Sequence, residues 1–95
     1  MKQSFVFIIA RPSRKTYIGV TADLERRVWE HQTKQTDGHT KQYNKVLLVY
    51  IEEFAHIEDA IAGEKQLKKW SSAKKAALVE RDNPQWLDLS AEWFR

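Results

Sequence analysis

The hydrophobic residues near the start of the chain favour two β-strands joined by a short turn. Residues 5–9 are all apolar and rich in β-branched and aromatic side chains, which is typical of a strand buried on both faces. Residues 16–20 form a second β-prone run, and the polar segment before it contains Pro12. Because so short a connection cannot make a parallel crossover, we expect an antiparallel hairpin.

Helical and extended patterns alternate along the rest of the chain. In chain order they predict a helix, a polar loop, a strand and two helices: residues 22–34, 35–43, 46–51, 56–70 and 71–81. Thr21 can cap the first of these helices, and Ser71 or Ser72 the third. Asn83-Pro84 ends the last helix, and we expect the aromatic tail over residues 86–94 to pack back onto the core. The order β-β-α-β-α-α predicts an α+β fold.

Two of the predicted helices carry polar residues where their apolar faces should continue. Leu24 and Val28 form the core stripe of the first helix, and Arg27 and His31 continue that stripe. In the second helix, Glu64 falls on the face that its apolar residues define, which are Ile57, Ala60, Ile61 and Leu67. Because an unpaired charge costs several kcal/mol to bury, such groups are normally paired or bound to a metal ion.

These inward-facing polar residues allow two interpretations. In the first, Arg27 and Glu64 form a structural ion pair that closes the two helices onto the sheet. In the second, both residues line a cleft, which His31 and the strand residue Tyr17 complete. Those residue types suit phosphate chemistry, since arginine neutralises phosphoryl charge, glutamate can hold Mg²⁺, and tyrosine and histidine can move protons.

Length and composition narrow the class of protein. A chain of 95 residues leaves room for one core, so we expect a single domain over residues 1–95. The chain has no cysteine, which excludes a disulfide framework, a thiolate zinc site and a cysteine nucleophile, and favours the cytoplasm. No apolar run approaches the roughly 20 residues that span a bilayer, so we expect a soluble protein without a membrane partner.

The formal net charge of +3 hides an uneven distribution along the chain. Residues 1–50 carry nine basic and four acidic side chains, a net charge of +5, whereas residues 51–95 carry seven and nine, a net charge of −2. Residues 65–79 contain five lysines and no acidic side chain. A polyanion would meet such patches first, although a lysine-rich helix face exposed to solvent would look the same.

The segment Tyr17-Ile18-Gly19 resembles one of the two motifs that name the GIY-YIG nuclease superfamily, and Phe5-Val6-Phe7 stands at hairpin distance where the other belongs. Residues 20–31 are similar to its small single-domain bacterial branch, which is related to the N-terminal nuclease domain of the ABC excinuclease. The likeness extends through residues 41–44, 48–50, 60–70 and 83–86. It implies the GIY-YIG endonuclease fold, a small three-stranded antiparallel sheet flanked by helices.

The resemblance implies hydrolysis of DNA phosphodiester bonds with one divalent cation, Mg²⁺ or Mn²⁺. By position, Tyr17 would orient or deprotonate the attacking water, and Arg27 would bind the scissile phosphate. His31 falls where relatives place a tyrosine or histidine near that phosphate, and Glu64 matches the metal-binding glutamate. The glycine of the motif, Gly19, would let the strand approach the helix and the substrate closely.

The resemblance also implies DNA as the partner and a role in DNA repair or recombination. Three modes of action stay open for so small a domain: it acts on repair intermediates, on single-stranded regions, or with a partner protein that supplies specificity. The resemblance leaves the oligomeric state open. Basic residues of the loop and of the lysine cluster would hold backbone phosphates. These candidate nucleic-acid contacts are Lys34, Lys41, Lys45, Lys68 and Lys69. Asn83 is a further candidate site residue, because its spacing from Glu64 fits this branch.

Three positions depart from the pattern of the superfamily. Phe7 replaces the tyrosine of the first motif and has no hydroxyl, so Tyr17, His31 or hydroxide on the metal supplies the base, or turnover is slow. Val20 replaces a lysine of the excinuclease domain, which removes one cationic phosphate contact. Gly63 stands beside Glu64 where this branch commonly has a larger basic residue, and glycine inside a helix costs about 1 kcal/mol relative to alanine.

These departures support an alternative function. Phe7 is compatible with a nucleic-acid-binding module on the same fold that has lost turnover. A third interpretation is a protein-interaction domain that uses the aromatic residues of the tail, which are Trp86, Trp93 and Phe94. Simple core packing would explain the same three residues.

Overall fold

Three antiparallel strands form a sheet in the computed structural model, which describes residues 3–34 and 46–93. They are β1 (Ser4–Ala10), β2 (Thr16–Thr21) and β3 (Leu47–Phe54), and β1 lies between the other two. The register pairs Phe7 with Gly19, which confirms the predicted hairpin and makes β2 one edge of the sheet. The loop predicted over residues 35–43 lies outside the described residues.

The described residues also form three helices in the predicted order. They are α1 (Leu24–Lys34), α2 (Ile57–Lys68) and α3 (Ser72–Asp82). The order β-β-α-β-α-α confirms the α+β fold with a three-stranded antiparallel sheet. None of these helices combines the length and the apolar character needed to cross a membrane.

Side-chain caps fix the residues at which α1 and α3 begin. Asp23 rather than Thr21 caps α1, since its Oδ1 accepts a hydrogen bond from the backbone N–H of Arg26 at 3.4 Å. Thr21 Oγ1 instead accepts from the N–H of Asp23 at 3.0 Å, so α1 starts two residues later than predicted. Ser71 Oγ accepts from the N–H of Lys74 at 3.1 Å and caps α3, one of the two predicted choices.

The hydrophobic core lies on both faces of the sheet, because alternate residues of a strand point to opposite sides. On the face covered by α1, the buried residues are Phe7, Ile9, Leu24, Val28, Val46 and Leu48. On the face covered by α2 and α3, they are Val6, Ile8, Ala10, Ile18, Val49, Tyr50, Ala60, Leu67, Val79 and Trp86. A register shift between β1 and β3 marks a bulge, which lets Val49 and Tyr50 join the same face.

The inward face of α2 is narrower than the sequence predicts. Ala60 and Leu67 are buried, but Ile57 and Ile61 are 41% and 38% exposed, so their assignment to the core was wrong. A three-stranded sheet is too narrow to cover a wide helical stripe, and the residues on the flank of that stripe remain in contact with solvent.

Gly63 faces the aromatic ring of Phe54 at the end of β3. A Cβ atom at Gly63 would lie 3.2 Å from Cζ of Phe54, which is closer than most such contacts. The ring packs against the core that α2 covers. A side chain at Gly63 would therefore need the Phe54 ring to move by a few tenths of an ångström.

The C-terminal tail packs along β3, as predicted. The N–H of Leu89 donates a hydrogen bond to the carbonyl of Leu48 at 2.7 Å. Trp86 is buried in the core beside α3, and Trp93 packs against the core beneath α1. Core packing therefore explains both tryptophans, while Phe94 lies outside the described residues.

Candidate active site

Three rings from three different elements meet on the α1 face of the sheet. The centroids of Tyr17 on β2 and His31 on α1 lie 4.7 Å apart. Phe7 on β1 contacts both, with its ring centroid 6.4 Å from that of Tyr17 and 5.9 Å from that of His31. Phe7 is fully buried, whereas Tyr17 is 44% exposed, so the cluster presents the phenol to solvent.

The strand register and the helix periodicity explain why these three rings come together. Tyr17 pairs with Ile9 and Gly19 with Phe7, so these four residues share one face of the hairpin. The buried Leu24 fixes which side of α1 faces the sheet. His31 follows Leu24 by seven residues, about two helical turns, and therefore projects from the same side.

A cavity of about 320 Å³ opens beside Tyr17 and His31. Arg11 and Lys15, at the two ends of the β1–β2 turn, also line it, together with Ile9, Thr16 and Val46. Neither basic residue is among the site residues that the sequence predicted. The available signal was their position in the acid-free segment directly before Tyr17.

Gly19 provides the space that the Phe7 ring occupies. A Cβ atom at Gly19 would lie 2.5 Å from Cζ and 2.8 Å from Cε1 of Phe7, distances that real Cβ contacts do not show. The close neighbour of this glycine is therefore the ring at the first-motif position. Because the tip of the ring reaches β2, the edge strand, a hydroxyl on Cζ would be added at that edge of the sheet.

His31 has a lowered pKa. Partial burial of the imidazole is the main cause, and the nearby Arg27 guanidinium adds to it, while the Glu30 carboxylate acts in the opposite direction. The pKa of His31 thus lies below its ordinary value of 6.5, and the imidazole is neutral at pH 7. A neutral imidazole next to a phenol can accept a proton.

Arg27 and Glu64 are each paired within their own helix. Arg27 Nη1 lies 3.5 Å from Glu30 Oε1, and its side chain is 49% exposed, so the prediction that Arg27 continues the buried stripe of α1 was wrong. Glu64 Oε2 lies 3.0 Å from Lys68 Nζ, and the Glu64 side chain is 15% exposed. The interpretation that pairs Arg27 with Glu64 is therefore wrong, since each charge finds a partner one turn away.

The structure places Glu64 on the opposite side of the sheet from the ring cluster. It follows Ala60 by one turn on the stripe of α2 that faces β1 and β2, whereas α1 covers the other face. Within residues 3–34 and 46–93, Glu64 forms no hydrogen bond or ion pair with Tyr17, Arg27 or His31. Since α2 packs against β2 and His31 of α1 contacts Tyr17 of β2, a substrate that lies along this edge can meet both sides.

The donor set fits a divalent cation only when a substrate shares it. Among the described residues, no three Asp, Glu or His side chains converge on a point that could hold a metal ion. Glu64 therefore offers a single carboxylate, which pairs with Lys68. Mg²⁺ commonly binds in this way, through one or two carboxylates together with phosphate oxygens and water.

The candidate lysines differ in how far the structure describes them. Lys68 is paired with Glu64, and Lys69 is exposed at the end of α2. Lys41, Lys45 and the side chain of Lys34 lie outside the described residues, so their phosphate contacts stay predictions.

Asn83 is buried and its amide is fully engaged at the end of α3. Its Nδ2 donates to the carbonyls of Val49 at 3.2 Å and Leu87 at 2.9 Å. Its Oδ1 accepts from the N–H of Leu87 at 3.0 Å. These bonds attach the tail to β3, at the opposite edge of the sheet from Tyr17.

The sheet order and the order of the elements define a small α+β fold, and comparison with known proteins assigns it to a family. Residues 3–77 match the family model described as the GIY-YIG catalytic domain. The chain therefore belongs to the GIY-YIG family, as its motifs predicted.

The relatives are small proteins named UPF0213. One from Syntrophus aciditrophicus is 31% identical over 86 residues, which cover 90% of this chain and 98% of the relative. Another from Haloquadratum walsbyi is 33% identical over 76 residues, covering 80% of this chain and 85% of the relative. The solution NMR structure of a UPF0213 protein from Bacillus halodurans has the same fold, with a TM-score of 0.60 at 24% identity over 95% of this chain and 97% of the other.

Proposed function

We propose that residues 1–95 form one nuclease-like domain that hydrolyses DNA phosphodiester bonds with the help of a divalent cation, Mg²⁺ or Mn²⁺. The observation that carries this proposal is the contact between Tyr17 and His31 at the mouth of a cavity lined by Arg11 and Lys15. Proton-transfer groups beside cationic side chains are what a phosphate ester requires. Membership of the GIY-YIG family supports the same chemistry.

In the proposed reaction, a water molecule attacks the scissile phosphorus in line with the bond that breaks. Tyr17 orients the water, and the neutral imidazole of His31 accepts its proton. The new P–O bond forms as the bond to one sugar oxygen breaks, and that oxygen leaves with a proton taken from solvent. Positioning of water and phosphate supplies a large share of the rate enhancement in such a step.

Arg27 is the proposed phosphate ligand of α1. Its ion pair with Glu30 is half exposed, and an exposed pair of this kind contributes little in water. A phosphate can therefore replace Glu30 as the partner of the guanidinium. Two N–H groups on one phosphate would stabilise the additional negative charge of the transition state.

Glu64 is the proposed ligand of the divalent cation. When bound there together with the substrate, the cation supplies positive charge to the phosphate oxygens. The role of Glu64 is to supply a carboxylate from α2, the helix on the face opposite His31, and its side chain is largely shielded from solvent. Lys68 balances that carboxylate in the absence of substrate.

A nicking assay on purified protein tests the proposal. The substrates are plain duplex, flapped and branched DNA, each with Mg²⁺, with Mn²⁺ and with a chelator. We expect metal-dependent cleavage that is lost in Glu64→Ala, with a preference among the substrates that indicates the role in repair or recombination. Equal activity of the wild type and Glu64→Ala would identify a contaminating nuclease and reject the assignment.

Phe7 favours one second candidate, a DNA-binding module that has lost turnover. Its buried ring carries no hydroxyl at the position of the first motif. This candidate predicts salt-sensitive DNA binding without cleavage of any substrate in either metal. In both cases, a partner protein would supply the choice of DNA target, because phosphate contacts alone do not read sequence.

A further inference from the structure

The β1–β2 turn separates two grooves that share Lys15 and Thr16. One is the cavity beside Tyr17 and His31. The other, which we name the hairpin–α3 groove, has a volume of about 470 Å³. Arg14, Trp86 and the two shared residues line it together with Lys75 of α3.

The two grooves open on opposite faces at the same end of the edge strand. Thr16 begins β2, and the side chain of the next residue, Tyr17, points to the face under α1. The hairpin–α3 groove lies on the other face, where α3 packs. An extended polymer can therefore pass from one groove to the other around the free edge of β2.

The hairpin–α3 groove is positively charged. Three basic side chains line it, Arg14, Lys15 and Lys75, and no acidic side chain does. Within the described part of the chain, neither of the two lysines forms an ion pair. Arg14 pairs with Glu80 at 3.3 Å, but the two side chains are 58% and 41% exposed, so a phosphate can compete for the guanidinium.

The wall of the groove is held in place before any ligand binds. Arg14 adopts a left-handed backbone conformation with φ of 68°, which is unfavourable for a residue with a side chain. Its guanidinium lies 4.6 Å from the centroid of the Trp86 ring. The indole N–H of Trp86 donates to Glu80 Oε2 at 2.7 Å, and the same oxygen pairs with Arg14. These contacts fix the turn against α3, which lowers the cost of ordering the groove around a ligand.

We infer that the hairpin–α3 groove binds the sugar-phosphate backbone of the DNA strand that continues from the Tyr17–His31 cavity around the β2 edge. The inference rests on the proposed function, since it takes DNA as the substrate. Lys75 and Lys15 contact phosphates there, and these contacts add affinity without reading bases. The groove acts in binding and takes no part in the chemical step.

Lys75→Ala tests the inference, because Lys75 lines this groove and not the Tyr17–His31 cavity. Arg81→Ala is the matched control, since it removes one positive charge from the other end of the same helix. Binding of fluorescein-labelled DNA in a chelator is measured by anisotropy over a range of salt concentrations. We expect Lys75→Ala to weaken binding several-fold and to reduce the slope of log K against log salt by about one. Arg81→Ala should leave both quantities near the wild-type values.

Two further measurements separate the possible outcomes. A series of shorter oligonucleotides should reach a length at which Lys75→Ala and the wild type bind equally, because the strand no longer reaches the groove. In cleavage assays, Lys75→Ala should raise KM and leave kcat unchanged. Unaltered DNA affinity in Lys75→Ala, or an equal loss in Arg81→Ala, overturns the inference while wild-type cleavage remains intact. Binding that depends on Lys75 without any cleavage supports the groove and rejects the proposed chemistry.

Discussion

The ring of Phe7 lies across the backbone of Gly19, its cross-strand partner, and fills the space of a side chain there. Cζ of Phe7 is 2.5 Å from the position that a Cβ atom of Gly19 would take. The glycine of one motif and the aromatic residue of the other are thus a single packing unit. Tyr17 and His31 pack against this unit, since the rings of both contact the Phe7 ring.

Gly19→Ala should destabilise the protein by about 1–3 kcal/mol, the usual range for an overpacked core. The added methyl group collides with a fully buried ring that cannot move without displacing its neighbours. Urea unfolding followed by circular dichroism measures the change. Gly63→Ala is the control, because its methyl group would come no closer than 3.2 Å to the partly buried Phe54 ring and gains up to about 1 kcal/mol of helix propensity. Wild-type stability in Gly19→Ala would contradict the packing unit.

Phe7→Tyr should change kcat of DNA cleavage by less than about tenfold, because Tyr17 and His31 already provide proton-transfer groups. Burying the hydroxyl should lower the free energy of unfolding by about 1–3 kcal/mol. Phe5→Tyr, two residues earlier on the same strand face, is the matched control. A rate gain of about a hundredfold or more, the size of a general-base contribution, would show that the native chain is an impaired catalyst.

His31 should give cleavage an acidic limb in its pH profile. Its pKa lies below 6.5, so the neutral imidazole dominates at pH 7 and the rate falls as the pH drops through that lowered pKa. Stability changes in the same direction: the unfolded state takes up protons first, so stability falls as the pH drops from 6.5 toward the folded-state pKa. Single-turnover rates over a pH series, in the wild type and in His31→Gln, measure the effect.

The His31→Gln variant should lose the acidic limb of the profile together with most of its rate. His56→Gln is the control, since His56 lies outside the cavity that His31 lines. An acidic limb that persists in His31→Gln would assign it to another group.

Lys68→Ala should lower the concentration of Mn²⁺ or Mg²⁺ that half-saturates the protein–DNA complex. In the absence of DNA, the Lys68 ammonium pairs with the Glu64 carboxylate at 3.0 Å and competes with the cation for it. Calorimetric titration of Mn²⁺ into the complex measures affinity independently of turnover. Lys65→Ala on the same helix is the control. A weaker metal affinity in Lys68→Ala would contradict this prediction and would mean that Lys68 acts mainly by binding DNA in the complex.

Asn83→Ala should reduce stability by about 2 kcal/mol or more. Each lost hydrogen bond costs about 1 kcal/mol, and the buried carbonyl of Val49 is left without its donor. Gln85→Ala, exposed in the same segment, should be close to neutral. If kcat per folded molecule is unchanged in Asn83→Ala, the residue is structural; a selective loss of kcat would instead place it in the reaction.

Much of the fold could be predicted because strands, helices and short turns form from interactions between residues that are close together in the chain. The β-prone runs over residues 5–9 and 16–20 and the short turn between them dictate a hairpin. The spacing of Leu24 and Val28 sets the buried side of α1. The predicted burial was wrong for Ile57 and Ile61, because a residue on a helix is buried only where another element packs over it. Helix periodicity does not record the width of the sheet against which α2 packs.

The sequence by itself determined the order of the elements, the family and the side of α1 on which His31 stands. Only the tertiary structure decided that His31 meets Tyr17 while Glu64 lies on the other face of the sheet. The reason is physical: periodicity within one element fixes where its own side chains point. Which sheet face each helix covers, and which strand becomes the edge, depends on contacts between residues far apart in the chain, and no local pattern records them.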